Sequence, residues 1–194
     1  MTLTAVQARA PTFFEEVVSA TPGGPTNLEL CLQCGTCGGS CPSGPDMDHT
    51  PRALFALINA GEKKKALSSN TPWFCVSCYY CTVRCPQEIR VTDLMYTLKR
   101  MAFKEGYSRQ STTASAPDFS KYFIDFAENY GRSFELGVAS LFTLSHNPLG
   151  VVKMIPMGFG MLKRSRMDFV PKRIKNVDQL KAILNKAKEL GGVQ

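Results

Sequence analysis

The chain has 194 residues, 44% of them hydrophobic and 20% charged, which is the composition of an ordinary globular protein of one domain, or of one domain with an appendage. The formal net charge of +7 counts eight cysteines as neutral, so its meaning depends on what those cysteines hold. No G-x-G-x-x-G, P-loop or G-x-S-x-G motif is present and no acid–base pair is visible, which argues against nucleotide binding and nucleophilic hydrolysis.

Residues 1–24 form an N-terminal arm: a polar tail, then a short helix. Thr12 and Glu15 have capping-box spacing, Phe13, Phe14, Val17 and Val18 make an apolar stripe, and Gly23, Gly24 and Pro25 end it. Such a helix either binds a partner or packs on the domain that follows, and the stripe favours packing. Met1 to Ala20 lacks the basic start and continuous apolar run of a secretory signal, so disulfide bonding is not expected.

All eight cysteines lie within residues 25–106, in two runs that each spell C-x-x-C-x-x-C-x-x-x-C-P. The first is Cys31, Cys34, Cys37, Cys41 and Pro42; the second is Cys75, Cys78, Cys81, Cys85 and Pro86, offset throughout by 44 residues. This spacing is that of bacterial-type cubane ligation, in which three cysteines serve one [4Fe-4S] cluster and the fourth serves its neighbour. Three cysteines two residues apart wrap one face of a cubane. The fourth, one residue further on and followed by a proline, leaves that loop. The expected sets are therefore Cys31, Cys34, Cys37 and Cys85 for cluster 1, and Cys75, Cys78, Cys81 and Cys41 for cluster 2. A third cysteine at the same short interval is surplus to a structural zinc knuckle. Each oxidised cluster with its thiolates carries about −2, so the net charge falls to about +3. That is too little to argue for nucleic acid, and it suits tolerance of anionic clusters or contact with acidic partner surfaces.

Between the runs, Thr50 caps a helix with Pro51 in its first turn, an apolar face of Leu54, Phe55, Leu57 and Ile58, and Gly61 as its stop. Lys63 to Lys65 read as a solvated basic face. Trp73, Phe74, Tyr79 and Tyr80 are expected to form an apolar shell that limits water at the second run. After Pro86, Thr92 is placed to cap a helix carrying Leu94, Leu98, Met101 and Ala102, ending near Gly106. With helices rather than short hairpins around the cysteines, the fold expected is mainly α: an α-helical ferredoxin domain with two interlocked [4Fe-4S] clusters and a helical C-terminal extension.

Residues 107–117, rich in Ser and Thr, read as a linker. In the extension, 118–194, Phe119, Tyr122, Phe123, Phe126 and Tyr130 recur at helical spacing, as core or as a contact with another protein of a complex. Leu136 to Leu162 is apolar but broken by Ser140, Thr143, Ser145, His146, Asn147, Pro148, Lys153 and Pro156, which disfavours a spanning helix. It suits a buried contact with a partner protein, or peripheral membrane contact through 136–173 aided by Lys163, Arg164, Arg166, Lys172 and Arg173. A last helix starts near Asn176, with Val177, Leu180, Ile183, Leu184 and Leu190 apolar and Gly191 as its stop. His49 and His146 lack metal-ligand spacing and are taken as ordinary polar residues.

From Cys31 to about Met101 the chain resembles the C-type iron–sulfur subunit of heterodisulfide reductase and its bacterial relatives. The resemblance lies in Cys31-Leu-Gln-Cys34-Gly-Thr-Cys37, Cys41-Pro42, Asp48-His-Thr-Pro51-Arg52, and Trp73-Phe-Cys75-Val-Ser-Cys78-Tyr-Tyr-Cys81-Thr-Val-Arg84-Cys85-Pro86. It implies a non-catalytic electron-transfer subunit of an oxidoreductase complex, working between a flavin-containing protein and a protein with cysteine-rich CCG motifs. The location implied is cytoplasmic, with any membrane association made through a partner. Bacterial relatives are associated with oxidation of sulfur compounds. This chain has no adjacent cysteine pair, so disulfide chemistry would reside elsewhere. Related modules occur in succinate, fumarate, glycerol-3-phosphate and glycolate-oxidising enzymes, which keeps the iron–sulfur subunit of a quinone-linked dehydrogenase as the alternative. A free ferredoxin-like carrier or an iron–sulfur sensor is a third reading.

Overall fold

The computed structural model describes residues 9–111, 113, 115–164, 166 and 168–190. Every regular element among them is helical, and they form two compact units that divide between residues 112 and 113.

In the first unit, α1 (Phe13–Ala20) opens with the capping box read from the sequence. The Thr12 hydroxyl accepts from the Glu15 amide, and the Glu15 carboxylate accepts from the Thr12 amide at 2.7 Å. The stripe on α1 buries Phe13 and Val17 against α3 (Pro51–Asn59) and α6 (Val91–Lys104), so this helix belongs to the core. Thr50 caps α3 through the Ala53 amide, and Leu54, Phe55 and Ile58 are buried on its inner face. Lys63, in α4 (Lys63–Ser68), is not a solvated cation: it bridges Glu16 at 2.8 Å and Glu105 at 2.9 Å, tying α1, α4 and the end of α6 together. Such half-exposed pairs contribute roughly 0.2–1 kcal/mol each, so the buried apolar faces dominate the stability.

Two sequence assignments shift in this unit. Thr92 does not cap α6, because that helix begins one residue earlier and Thr92 is buried inside its first turn, its amide donating to the Thr82 hydroxyl. Residues 107–110, assigned to the linker, form a 3-10 turn packed on α4 and α6, with Ser108 and Ser111 buried. The serines there are buried; they do not mark solvent.

In the second unit, α7 (Ser115–Tyr130) packs on α8 (Glu135–His146), where Phe119 meets Phe142 edge-on at 5.6 Å and Phe126 meets Phe134 at 5.7 Å. Next come α9 (Gly150–Lys163) and α10 (Val177–Glu189); the expected stop at Gly191 lies outside the described residues. Ser140 and Thr143 do not interrupt α8, since the Thr143 hydroxyl donates to the Ala139 carbonyl and so leaves no unsatisfied group. Pro156 is held within α9, and the break falls at residues 147–149. No helix among the described residues is long and apolar enough to cross a membrane.

Candidate metal centre

The two cysteine runs fold alike. Each starts extended and ends in one helical turn, α2 (Thr36–Gly39) or α5 (Tyr80–Val83), and these turns pack on each other. Gln33 and Gly35 in the first run have φ of +55° and +84°; Ser77 and Tyr79, their counterparts 44 residues on, have +57° and +62°. Within these loops backbone N–H groups face the sulfurs, those of Thr36, Gly38 and Thr82 bonding the Cys34, Cys37 and Cys81 thiols, which makes a concavity suited to an anion. Ser40 and its counterpart Arg84 touch, with the guanidinium donating to the serine hydroxyl at 3.4 Å.

Those left-handed positions carry a cost. A non-glycine residue there is disfavoured by roughly 1–2 kcal/mol, and at Tyr79, whose side chain is half exposed, packing offsets little of it. Tyr79→Gly is therefore expected to be tolerated within ~1 kcal/mol, whereas the β-branched Tyr79→Val should cost ~1–2 kcal/mol. Chemical denaturation of the two variants under anaerobic conditions checks this.

A small cavity lies at each loop. The first is bordered by Cys31, Cys34, Cys37 and Cys85, with Arg52, Phe55 and Ile89; the second by Cys75, Cys78, Cys81 and Cys41, with Met47, Tyr79 and Met95. Each run thus lends its last cysteine to the cavity of the other. Val91, fully buried at the start of α6, borders both. The turn after Cys41 is fixed to the segment before Cys75 by a clasp: Asn70 and Asp48 exchange side-chain to amide bonds at 2.7 and 2.8 Å, and Thr71 bonds both the amide and the carbonyl of His49. His49 therefore serves through its backbone.

Burial pushes the Cys37 thiol up to about 11 and raises Cys41 and Cys81, while a hydrogen bond with Thr36 lowers the exposed Cys34. A metal-bound thiolate must shed its proton, so loading is favoured as pH rises toward these values. The indole N–H of Trp73, two residues before Cys75, is buried without an acceptor among the described residues. Trp73 packs on the core and Tyr80 lies under Arg84 with its ring half exposed, so neither lines a cavity. Of the expected shell Tyr79 does border the second cavity, and further apolar lining comes from Phe55, Ile89, Val91 and Met95, whose inward direction depends on tertiary packing.

Among the described residues, no three histidine, cysteine or carboxylate side chains converge on one point, as a single-ion site would need. Thiols spread around a cavity suit a cubane, which offers each iron its own thiolate. Four thiols per cavity and inward-curled amides thus fit an anionic iron–sulfur cube.

Comparison with known proteins agrees. Residues 27–89 match the 4Fe-4S dicluster domain. The cofactors are two [4Fe-4S] clusters. The chain is also similar to the C-type subunit of the H(2):CoB-CoM heterodisulfide,ferredoxin reductase of Methanothermobacter marburgensis, at 38% identity over 94 residues, covering 48% of this chain and 50% of the relative. The C-type subunit of the Ferredoxin:CoB-CoM heterodisulfide reductase of Methanosarcina mazei is 37% identical over 97 residues, covering 49% and 58%. The C-type iron-sulfur subunit of the CoB--CoM heterodisulfide reductase of Methanopyrus kandleri is 34% identical over 97 residues, covering 50% and 47%. The chain spans about half the length of these curated relatives. The dicluster domain falls wholly within the first unit.

Proposed function

We propose that the protein is the electron-transfer iron–sulfur subunit of a heterodisulfide-reductase-like complex, relaying single electrons between a flavin-containing protein and a CCG-motif protein in the cytoplasm, in a pathway that oxidises sulfur compounds. The observation that carries this reading is the shared wall: two four-cysteine cavities border the same Val91 side chain, so two redox centres would be neighbours. When bound, the clusters supply reversible one-electron chemistry between the 2+ and 1+ states. The ligand sets are Cys31, Cys34, Cys37 and Cys85 for the first cluster and Cys75, Cys78, Cys81 and Cys41 for the second. The chain's own residues hold the thiolates, curl amides toward them and keep water away through Phe55, Ile89, Val91 and Met95. A unit whose cavities are walled by thiols and apolar side chains suits a relay better than a catalytic centre.

In this reading residues 25–106 form the cluster-bearing domain, preceded by the arm 1–24, and 118–194 form the docking part. The second unit supports that role, because few of its described side chains are buried: Val138 is, whereas Leu149, Val152, Ile155 and Phe159 are largely exposed. A set of apolar side chains on that scale marks an interaction surface. Anaerobic purification of the tagged full chain should bring down a flavoprotein and a CCG-motif protein, whereas a chain ending at residue 112 should keep its iron and lose both. Recovery of the full chain alone, as a monomer, would count against the complex.

A quinone-linked dehydrogenase is the second reading. It is favoured by the exposed apolar face of α9 followed by Lys163, Arg164, Arg166, Lys172 and Arg173, a combination suited to a membrane protein or an anionic lipid surface. Membrane association that survives high salt, with a cytochrome in the purified complex, would support it; release by salt would not.

A further inference from the structure

The two halves repeat in backbone but not in charge, and the difference falls on the cavity walls. In the first half Arg52 is the second residue of α3; the second residue of α6 is Thr92, which borders the second cavity. Arg52 is the one charged residue among the described residues that border either cavity. A β-carbon at Gly35 would stand at ordinary contact distance from Arg52, 3.7 Å from Cδ and 4.0 Å from Nη1, so the arginine side chain runs over the loop between Cys34 and Cys37. In the second half Tyr79, the counterpart of Gly35, borders the cavity, while Tyr96 bonds the Ser77 hydroxyl and offers its ring to Lys99 at 5.2 Å. The wall of the first cavity thus carries a cation and the wall of the second carries none among the described residues. Among the described residues Arg52 has no carboxylate partner, so its charge is not spent on an ion pair.

We infer that Arg52 selectively raises the reduction potential of the first cluster and so makes the two clusters inequivalent. The inference rests on the dicluster reading of the cavities. Taking up one electron makes a cluster more negative by one charge, with no bond made and no proton moved, and a guanidinium over its loop stabilises that added charge. The neutral Thr92 hydroxyl at the matching place does not. Lys99 is the second-half cation nearest this role, since its charge is felt at Cys75. It stands outside the cavity lining, so it moderates the asymmetry and does not cancel it. Arg52 is an electrostatic positioning residue, and because its side chain is exposed, salt should weaken its effect.

The test is an EPR-monitored redox titration of the anaerobically purified full chain, with iron and sulfide measured on every variant. Cys34→Ser identifies the first cluster's signal by perturbing it. Arg52→Gln should then lower that midpoint by about tenfold in the reduced-to-oxidised ratio at fixed potential, ~59 mV for a one-electron couple, and leave the other wave in place. Arg52→Lys should retain most of the wild-type value. In the wild type, raising the salt from about 0.05 to about 0.5 M should lower the first wave more than the second. This arm decides the matter if Arg52→Gln loses iron. An unmoved first midpoint, or equal movement of both waves, overturns the role of Arg52. A wild-type protein without two clusters overturns the dicluster reading instead.

Discussion

Cys41→Ser is expected to damage the cluster held by Cys75, Cys78 and Cys81, 34 or more residues away in sequence, and to spare the one held by its own neighbours Cys31, Cys34 and Cys37. Cys41 borders the second cavity and touches Met47, which lines that same cavity, at 3.9 Å. Its sulfur belongs to the far loop because the chain turns at Pro42, and the Asp48–Asn70 clasp then holds the turn in place. A serine hydroxyl is a hard, weakly acidic ligand, so cluster 2 should become labile: loss of up to about four of eight irons on gentle chelation is the scale to expect for one cubane of two. Site-resolved EPR reads which half is lost. Disappearance of the Cys31, Cys34 and Cys37 signal instead would mean that each run serves its own cluster.

The second large effect is expected at Phe55. Its ring is 1% exposed, it is among the largest side chains buried in the core, and one edge borders the first cavity. Phe55→Ala should cost roughly 3–5 kcal/mol, because the transfer term and the void left behind add and a core crossed by α1, α3 and α6 cannot collapse onto it. That is a large share of a typical domain's stability. Phe55→Leu, which keeps most of the volume, should cost ~1–2 kcal/mol. Anaerobic denaturation followed by far-UV circular dichroism gives both numbers, and iron release should track unfolding. An alanine variant within ~1 kcal/mol of wild type would mean that the clusters, and not this core, carry the fold.

Much of the first unit is legible in the sequence because its signals are local. Thr12 with Glu15, and Thr50 with Pro51, specify helix starts through hydrogen bonds made within four residues, and the stripe Leu54, Phe55, Ile58 specifies the buried face. Thr92 misleads because a threonine before an apolar run has the look of a cap, yet its hydroxyl is spent on contacts with Thr82 and Cys81, ten and eleven positions away. Within the expected linker 107–117, where the two units divide, residues 107–110 pack on the first unit for the same reason, since the burial of Ser108 and Ser111 comes from α4 and α6 and leaves no periodic trace.

At the site, the eight cysteines are visible in the sequence because ligand spacing is itself a sequence property. What surrounds them is not. Arg52 reaches the first cavity only because α3 packs against the first loop, and Val91 walls both cavities only because α6 begins where the two loops meet. The left-handed Gln33, Ser77 and Tyr79 carry no residue-type signal for that conformation. Only the superposable pattern 44 residues apart reveals them.

Iron and acid-labile sulfide, counted together with an EPR spectrum of the anaerobically purified and reduced full chain, test the central claim most directly. Two neighbouring cubanes predict about eight irons and eight sulfides per chain, and a spectrum broadened by coupling between two reduced centres on either side of Val91. About four irons per chain, stoichiometric zinc, or two signals with no magnetic interaction would contradict it.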